Sequence, residues 1–310
     1  MSRFKLSLGL ICLLGLAVCG FGAEAGHAAA GHATEGPPVT PEAPTLWHLG
    51  PIPITNAMVY TWVIMALIFV VIRVGTRNMQ VIPTGLQSFI ELVVEGLENL
   101  TKGLLEPKVV RWVFPLIATF FIFIVLSNLL GLLPGIGSIG WGEKDPSSPL
   151  PFALKHADVP LFRPPTADAN TTIAMAALYF IMSTWWSIKY NGPLGLVKHI
   201  FGVKGGMTGP ILIPLFFIFL FIGGIEVISI LIRPVALAMR LYGNIYGGET
   251  VLTLMLGMGP KWMMGLAAVP FYFLELLVAV VQAMVFTVLC IAFIGTTCSH
   301  SEEETPADHH

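Results

Sequence analysis

The sequence predicts an all-α, polytopic membrane protein with about five membrane helices plus one amphipathic surface helix. Only 11% of its 310 residues are charged, whereas soluble domains carry roughly 25%. The mean hydropathy is +0.81, and several apolar runs reach the length of about 20 residues that a membrane span needs. A formal net charge of −2 offers no basic surface, so the composition argues against nucleic-acid binding.

The chain divides into four predicted regions. Residues 1–25 are predicted to be a signal peptide, because positive residues precede the short apolar stretch Leu6–Val18 and small residues follow it. Retention of this segment as an extra helix is the alternative. Residues 26–50, rich in Ala, Gly, His and Pro, predict a disordered extracytoplasmic tail. Residues 51–298 are the predicted membrane domain, and residues 299–310 are a predicted acidic cytoplasmic tail.

Three apolar runs of ordinary length predict spanning helices. These runs are Ile54–Ile72, Trp112–Leu133 and Thr171–Ile188. The third begins after Asp168 and Asn170, whose side chains suit a helix N-terminus. Between the first two, the segment Leu86–Leu105 places its apolar residues at helical spacing and its charges elsewhere. That pattern predicts an amphipathic helix lying on the membrane surface.

The run from Pro210 to Gly257 is too long for one ordinary span. Its 48 residues would extend about 72 Å as a helix, whereas the hydrocarbon core is about 30 Å thick. Either two spans meet in a tight turn near Arg233–Pro234, or one long, strongly tilted helix bends at Pro234. The region lacks the polar or glycine-rich residues of a tight turn, which favours the long helix. The run Trp262–Thr297 is predicted to pair with it as an antiparallel hairpin.

Lysine and arginine counts predict the orientation, because cytoplasmic loops carry the excess of these residues. With the N-terminus extracytoplasmic, eight cations fall on the cytoplasmic side and four on the outer side. The C-terminus is then cytoplasmic. The cytoplasmic group is Arg73, Arg77, Lys102, Lys108, Arg111 and, in a predicted polar hairpin, Lys189, Lys198 and Lys204. The outer group is Lys144, Lys155 and Arg163, in a loop predicted over 138–165, and Lys261.

Arg240 is the most unusual residue of the predicted spans. Charges within a membrane are costly and mark pathways or partners. An arginine is not deprotonated at any accessible pH, so it repels a passing cation and attracts a carboxylate. No carboxylate lies three or four residues from Arg240. Its partner is therefore expected on another helix or another chain.

Two polar tracks are predicted on either side of Arg240. Glu226, Arg233, Arg240 and Asn244 are spaced 7, 7 and 4, which places them near one helix face. Glu249 points to the opposite side and could share a proton with Glu275 or hydrogen-bond Gln282. A purely structural role, as buried ion pairs, is the alternative for Glu226 and Arg233. The cytoplasmic track contains Glu226, Ser229 and, as a further candidate, Arg233; the outer track contains Asn244, Glu249, Glu275 and Gln282.

Three segments of the chain resemble the F-type ATP synthase a subunit family, the stator of the Fo sector. The segment Arg233–Glu249, RPVALAMRLYGNIYGGE, is similar to the signature of that family. Leu132–Gly135 and Pro165–Asn170 resemble two further family segments, and Glu275 and Gln282 have the family spacing. The resemblance runs in order from about Ile54 to Ile294.

The resemblance implies a role for each candidate residue. Arg240 would be the essential stator arginine facing the carboxylates of the c-ring. The outer half-channel would be lined by Asn244, Glu249, Glu275 and Gln282, with Asp168 and Asn170 near its mouth, and the cytoplasmic side by Glu226 and Ser229.

The resemblance also implies the partners and the cellular location. The expected partners are c-ring subunits, b-type peripheral stalk subunits, the remainder of the F1Fo complex, membrane lipid and protons, with Na⁺ left open. The expected location is the cell inner (plasma) membrane. No cofactor or metal is expected. The chain has no Gly-x4-Gly-Lys-Ser/Thr phosphate loop, so it is expected to perform no chemistry on ATP.

Two other classes of function compete with this interpretation. A proton-coupled secondary transporter would show inverted repeats and broken helices, and the sequence has no internal repeat. An intramembrane enzyme would need a nucleophile with its base, or a metal cluster, within the spans, and the histidines His156 and His199 fall outside the predicted spans.

Overall fold

The computed structural model describes residues 43–49, 52–133, 140–141, 159–160, 163–201, 212–257, 266 and 268–298. The predicted signal peptide, most of the predicted tail and the acidic C-terminus lie outside these residues. The described helices are α1 (Asn56–Gly75), α2 (Leu86–Leu104), α3 (Pro107–Gly131), α4 (Ala169–Phe201), α5 (Leu212–Gly257) and α6 (Ala268–Cys298), with a 3₁₀ helix at Pro165–Ala167. The strands form two antiparallel pairs, β1 (Thr45–Leu49) with β2 (Ile52–Thr55) and β3 (Gly140–Trp141) with β4 (Val159–Pro160).

Five of these helices are long and apolar enough to cross a membrane. Their spanning segments are Asn56–Gly75, Pro107–Gly131, Ala169–Tyr190, Ile218–Met255 and Ala268–Thr297. The remaining described helix, α2, is amphipathic, and it packs against α1 and α3. The predicted all-α, polytopic membrane fold is therefore confirmed.

Local chemistry explains where the first spans begin. The hydroxyl of Thr55 accepts a hydrogen bond from the N–H of Met58 at the start of α1, which satisfies one of the donors that a helix N-terminus leaves unpaired. Pro107 occupies the first turn of α3, where its missing N–H costs nothing. These signals place the helix starts within a few residues of the positions that the apolar runs predict.

Helix α3 lies at the centre of the bundle. Its side chains Phe120, Phe123 and Ile124 are buried, and the Phe120 ring meets Phe286 of α6 edge-to-face with 5.6 Å between centroids. In the most apolar stretch of α3, 61% of the residues are buried by the rest of the chain; in the corresponding stretch of α5, only 6% are. Helix α5 is therefore a peripheral element with a large uncovered surface.

The long run near the C-terminus is one helix. Helix α5 continues through Pro234 for 46 residues, about 69 Å at 1.5 Å per residue. A helix of that length fits a core of about 30 Å only by tilting strongly or extending beyond it. Its contacts with α6 run in opposite chain directions: Arg233 lies over Phe293, and Asn244 contacts Gln282. The predicted antiparallel hairpin is present; α6 is described from Ala268 onward, and Trp262 lies outside the described residues.

The chain after the third span is helical over the residues that the structure describes. A polar hairpin was expected around Lys189, Lys198 and Lys204; α4 contains two helical segments, the second reaching Phe201, and Lys204 lies outside the described residues. A kink at Gly192, with φ of 74°, interrupts α4, and glycine adopts that conformation without the steric cost of a Cβ. The segment just before the kink is held to α3, because Lys189 lies 4.6 Å above the Trp112 ring and the hydroxyl of Tyr190 donates to Glu106 at 2.8 Å.

Candidate functional site

Arg240 lies on the uncovered face of α5. Its side chain is exposed and borders a cleft of about 420 Å³ between α5 and α6. Among the residues that the structure describes, none forms an ion pair or a hydrogen bond with its guanidinium. A permanent positive charge on an apolar helix therefore faces away from the carboxylates of its own described chain.

An apolar stripe runs along α5 beside Arg240. Its members are spaced three or four residues apart and are between 54% and 60% exposed, so one side of the helix presents them together. The stripe consists of Ile225, Ile228, Ile232, Val235 and Met239. Because the described part of the chain does not cover the stripe, lipid or another protein is expected to cover it in a membrane.

The cleft beside Arg240 is lined by Ser229 and Arg233, two residues of the predicted cytoplasmic track. Ser229, Arg233 and Arg240 line it from α5, and Phe293 lines it from α6. Glu226 Oε1 lies 3.6 Å from Arg233 Nη2, and the Arg233 guanidinium lies 5.2 Å from the centre of the Phe293 ring. Glu226 and Arg233 therefore pair within one helix, with 42% and 23% of their side chains exposed, and not as the buried pair between helices that was the structural alternative. Ser229 lies beside them on the cleft wall.

Asn244 and Gln282 connect the two long helices on the other side of Arg240. The Asn244 amide donates to Gln282 Oε1 at 2.7 Å. Gln282 is buried, whereas Asn244 remains exposed next to Arg240. The pair therefore links the surface that bears Arg240 to the interior between α5 and α6.

Glu249 has an ion-pair partner that the sequence did not suggest. Its carboxylate Oε2 lies 3.7 Å from Nε of Arg163, and within the described chain Glu249 makes no hydrogen bond to Glu275 or Gln282. Arg163 was expected as an outer loop cation, but only 4% of it is exposed. The turn that enters the 3₁₀ helix directs Arg163 inward, where a buried guanidinium needs an acidic neighbour.

Glu275 projects from α6 onto the backbone of α5. It is 6% exposed and rests against Gly248, where a Cβ would overlap its carboxylate. Glu275 also lies close enough to Glu249 for the two acids to interact electrostatically. The glycine therefore creates the space that lets two acids from different helices approach each other.

Asp168 caps α4 as its position before the third span predicts. Its carboxylate accepts hydrogen bonds from the Asn170 N–H and the Thr171 hydroxyl, each at 3.3 Å. Burial raises the pKa of the Asp168 carboxyl above its ordinary value of 3.8, while these hydrogen bonds and the positive charge of Arg163 lower it less strongly. Asp168, Arg163 and Glu249 therefore belong to one electrostatic cluster.

Asn128 on α3 fixes the segment that carries Asp168, and sequence inspection missed it. Its Oδ1 accepts from the Thr166 hydroxyl at 2.7 Å, and its Nδ2 donates to the Ala279 carbonyl at 3.2 Å. Asn128 is a neutral amide inside an apolar run, which is a weak signal. Arg163 was missed as a site residue for another reason, since loop cations are ordinarily solvated.

The structure gathers the predicted outer residues and separates them from the cytoplasmic ones. Asp168, Glu249 and Glu275 form one cluster with Arg163, and the Asn244–Gln282 pair lies between this cluster and Arg240 along α5. Glu226 lies about 21 Å along α5 from Arg240, on the other side. In the described residues, no three His, Cys, Asp or Glu side chains are grouped as a metal site.

Comparisons with known proteins agree on one family. A family model described as ATP synthase A chain matches residues 58–295. The ATP synthase subunit a of Desulfosudis oleivorans is 33% identical over 244 residues, covering 79% of this chain and 88% of that protein. The ATP synthase subunit a of Trichlorobacter lovleyi is 37% identical over 241 residues, covering 77% and 85%. The ATP synthase subunit a 3 of Pelobacter propionicus is 36% identical over 241 residues, covering 77% and 86%.

Proposed function

The chain belongs to the ATP synthase A chain family, and from that premise we propose that it provides the two half-channels and the essential arginine that couple proton flow to c-ring rotation and ATP synthesis. Family membership makes it a multi-pass membrane subunit of the F1Fo complex. What it adds to that complex, on this proposal, is an interrupted path for protons, with Arg240 at the interruption.

The exposure of Arg240 on an uncovered face is the observation that carries the proposal. A charge facing lipid is unfavourable by several kcal/mol, and no described residue of the chain neutralises it. A carboxylate on a second protein would relieve that cost. The apolar stripe beside Arg240 supplies the surface along which such a partner, the c-ring, would pass.

The outer half-channel is assigned to the cluster of acids between the 3₁₀ helix, α5 and α6. Asp168 stands at its entrance, with the backbone of Asn170 beside it, Glu249 and Glu275 approach each other inside it, and the Asn244–Gln282 pair leads toward Arg240. Carboxyl groups can accept and release a proton, and amide groups can hydrogen-bond to the groups that carry it. Burial by the surrounding apolar helices restricts other routes for charge.

The cytoplasmic half-channel is assigned to the cleft on the other side of Arg240. Ser229 and Arg233 line the cleft wall, and Glu226, which pairs with Arg233, stands farther along α5 from Arg240. The cleft opens on the face that carries the apolar stripe, so a proton released from a c-ring carboxyl there would meet polar groups. The two assigned half-channels meet only at Arg240, which prevents direct leakage because it repels protons.

The mechanism follows from the cost of charge in lipid. A proton from the outer half-channel neutralises a c-ring carboxylate, and the neutral group can then rotate through lipid. When a carboxyl returns to Arg240, the guanidinium favours its ionised form and the proton leaves on the cytoplasmic side. Each charge that crosses 100 mV releases about 2.3 kcal/mol, so several charges are needed for each ATP.

The proposal includes an orientation and a membrane. We place the N-terminus outside the cytoplasm and the C-terminus inside, in the cell inner (plasma) membrane. Eight cations on the cytoplasmic side support this orientation. Four cations were expected on the outer side, and one of them, Arg163, is buried. The b-type peripheral stalk subunits are further proposed partners.

A secondary transporter is less well supported. Such transporters bind substrate where helices are broken, but α5 continues as helix past Arg240 to Gly257. Together with the family match, this continuity favours a helix face that works against a second protein. It does not favour a substrate pocket inside the chain.

Arg240→Ala in inverted vesicles tests the proposal. ATP-driven acidification should disappear while the complex still assembles and the c-ring still co-purifies. Arg77→Ala, which removes an exposed cation just after α1, is the matched control and should pump normally. Normal pumping by Arg240→Ala would overturn the proposal, and repeating the wild-type measurement with and without sodium distinguishes H⁺ from Na⁺.

A further inference from the structure

A buried arginine lies on the side of α5 that faces away from Arg240. Arg163 approaches from the segment before the 3₁₀ helix, is 4% exposed, and places its Nε 3.7 Å from Glu249 Oε2. Glu249 is nine residues beyond Arg240, which rotates it by half a turn around the helix. The chain thus places a second permanent cation among the acids of the proposed outer half-channel.

The backbone that carries Arg163 is fixed by its neighbours. Pro164 packs so tightly against Gly131 of α3 that a Cβ there would overlap it. The Pro164 carbonyl accepts from the Ala167 N–H at 3.0 Å, and Thr166 is hydrogen-bonded to Asn128. Arg163 is therefore attached to a rigid turn, so its guanidinium is positioned before any proton arrives.

The charges around Arg163 come from three elements. Asp168, which directly follows the 3₁₀ helix, and Glu249 of α5 both interact electrostatically with Arg163. Glu275 of α6 interacts with Glu249, and Tyr242 of α5 interacts with Arg163 and both of its acidic neighbours. Glu249 and Glu275 share a partly dry space and repel each other when both are ionised. The guanidinium of Arg163 compensates one negative charge at every pH, since it does not deprotonate.

We infer that Arg163 is a positioning residue of the outer half-channel: its buried guanidinium holds the Glu249 carboxylate and supplies a positive charge that a bound proton would otherwise have to supply. The inference rests on the proposed function, because it presumes that Glu249 lies on the proton path. Arg163 itself does not relay protons, because its guanidinium stays protonated. It acts through Glu249, because it fixes the position of that carboxylate and keeps it available to accept a proton.

Passive proton conduction through F1-stripped vesicles tests the inference. Arg163→Gln should lower conduction about tenfold or more, as misplacing a reacting group does, while Arg163→Lys should recover a large part of it. Lys102→Gln, which removes an exposed cation from an ion pair on α2, is the matched control and should conduct normally. Wild-type conduction by Arg163→Gln would overturn the inference, as would a failure of lysine to rescue.

The double variant Arg163→Gln with Glu249→Gln separates positioning from simple packing. If Arg163 acts through Glu249, the double variant conducts as Glu249→Gln alone does; independent, multiplying losses would overturn the inference. Removing both charges also avoids an unpaired buried charge, so the double variant should assemble even where Arg163→Gln does not. Failure of the double variant to assemble would assign Arg163 a packing role and overturn the inference.

The two hypotheses fail in different ways. If Glu249→Gln conducts like the wild type, the proposed outer half-channel is wrong and the inference fails with it. If Glu249→Gln is impaired and Arg163→Gln is not, the half-channel stands and only the role of Arg163 is wrong.

Discussion

The side-chain amide of Asn244 donates a hydrogen bond to Oε1 of Gln282 at 2.7 Å. Asn244 lies four residues after Arg240 on α5. The bond joins two long apolar helices, α5 and α6. It fixes the register of α5 against α6 at the level where the proposed proton path approaches Arg240. Its position suggests how stability and transport can be separated by mutation.

Replacing both members of this pair by apolar residues of similar shape should preserve assembly and abolish conduction. Asn244→Leu or Gln282→Met alone leaves a polar partner unpaired, which costs about 1–3 kcal/mol. The double variant avoids that cost but removes the polar groups. The dissociation temperature of the detergent-solubilised complex and passive proton conduction are the two measurements. A double variant that loses as much stability as both single variants together would contradict the prediction.

Gly248→Ala should abolish proton conduction because the new Cβ would occupy the space of the Glu275 carboxylate. Glu275 would have to move away from Glu249, or α5 and α6 would have to separate. Conduction through F1-stripped vesicles is the measurement. Gly224→Ala is the matched control on the same helix, since a Cβ there meets open space. Equal behaviour of the two variants would show that this close approach is unimportant.

Asn128→Leu should destabilise the turn that carries Arg163 and Asp168. The Thr166 hydroxyl and the Ala279 carbonyl both lose their partner, and each buried unsatisfied group costs about 1–3 kcal/mol. We expect a lower dissociation temperature together with reduced conduction. Thr119→Val is the control, because this buried hydroxyl on α3 bonds only within its own helix, to the Pro115 carbonyl. A loss no larger than that of Thr119→Val would contradict the bridging role of Asn128.

Asp168 should make the stability of the complex depend on pH. Its pKa is raised above 3.8 by burial, so the folded protein binds this proton more tightly than the unfolded chain does. That contribution to stability is fully present below pH 3.8 and is lost as pH rises through the raised pKa. In Asp168→Asn this component should be missing from the dissociation temperature measured across the acid range. An unchanged pH profile in Asp168→Asn would assign the dependence to other groups.

The elements that sequence inspection predicted well are those in which the pattern of apolar residues is long and regular. The unbroken apolar run through Pro234 predicted α5 as one helix, and the spacing of Leu97 and its apolar neighbours predicted amphipathic α2. The polar hairpin expected around Lys189, Lys198 and Lys204 falls where two helical segments of α4 meet at Gly192, and Lys204 lies outside the described residues. The kink at Gly192 depends on a single φ angle, which composition does not encode.

The candidate site was predicted only as separate positions along the chain. Helical spacing placed Arg240 and Asn244 near one face and Glu249 on the opposite one, since the periodicity of a helix is fixed. Spacing could not show that Arg163 turns inward to meet Glu249, because that contact joins residues 86 positions apart. It also could not show that Gly248 receives the Glu275 carboxylate.

The sequence by itself determined that the chain is a bundle of membrane helices with an arginine in the middle of its longest one. Hydrophobicity and helical periodicity are local properties, and local properties can be deduced from consecutive residues. Only the tertiary structure decided which charges are neighbours: Arg163 with Glu249, and Arg240 with no acid among the described residues. Electrostatic interaction depends on distance in space and on burial, and both are set by how the helices pack.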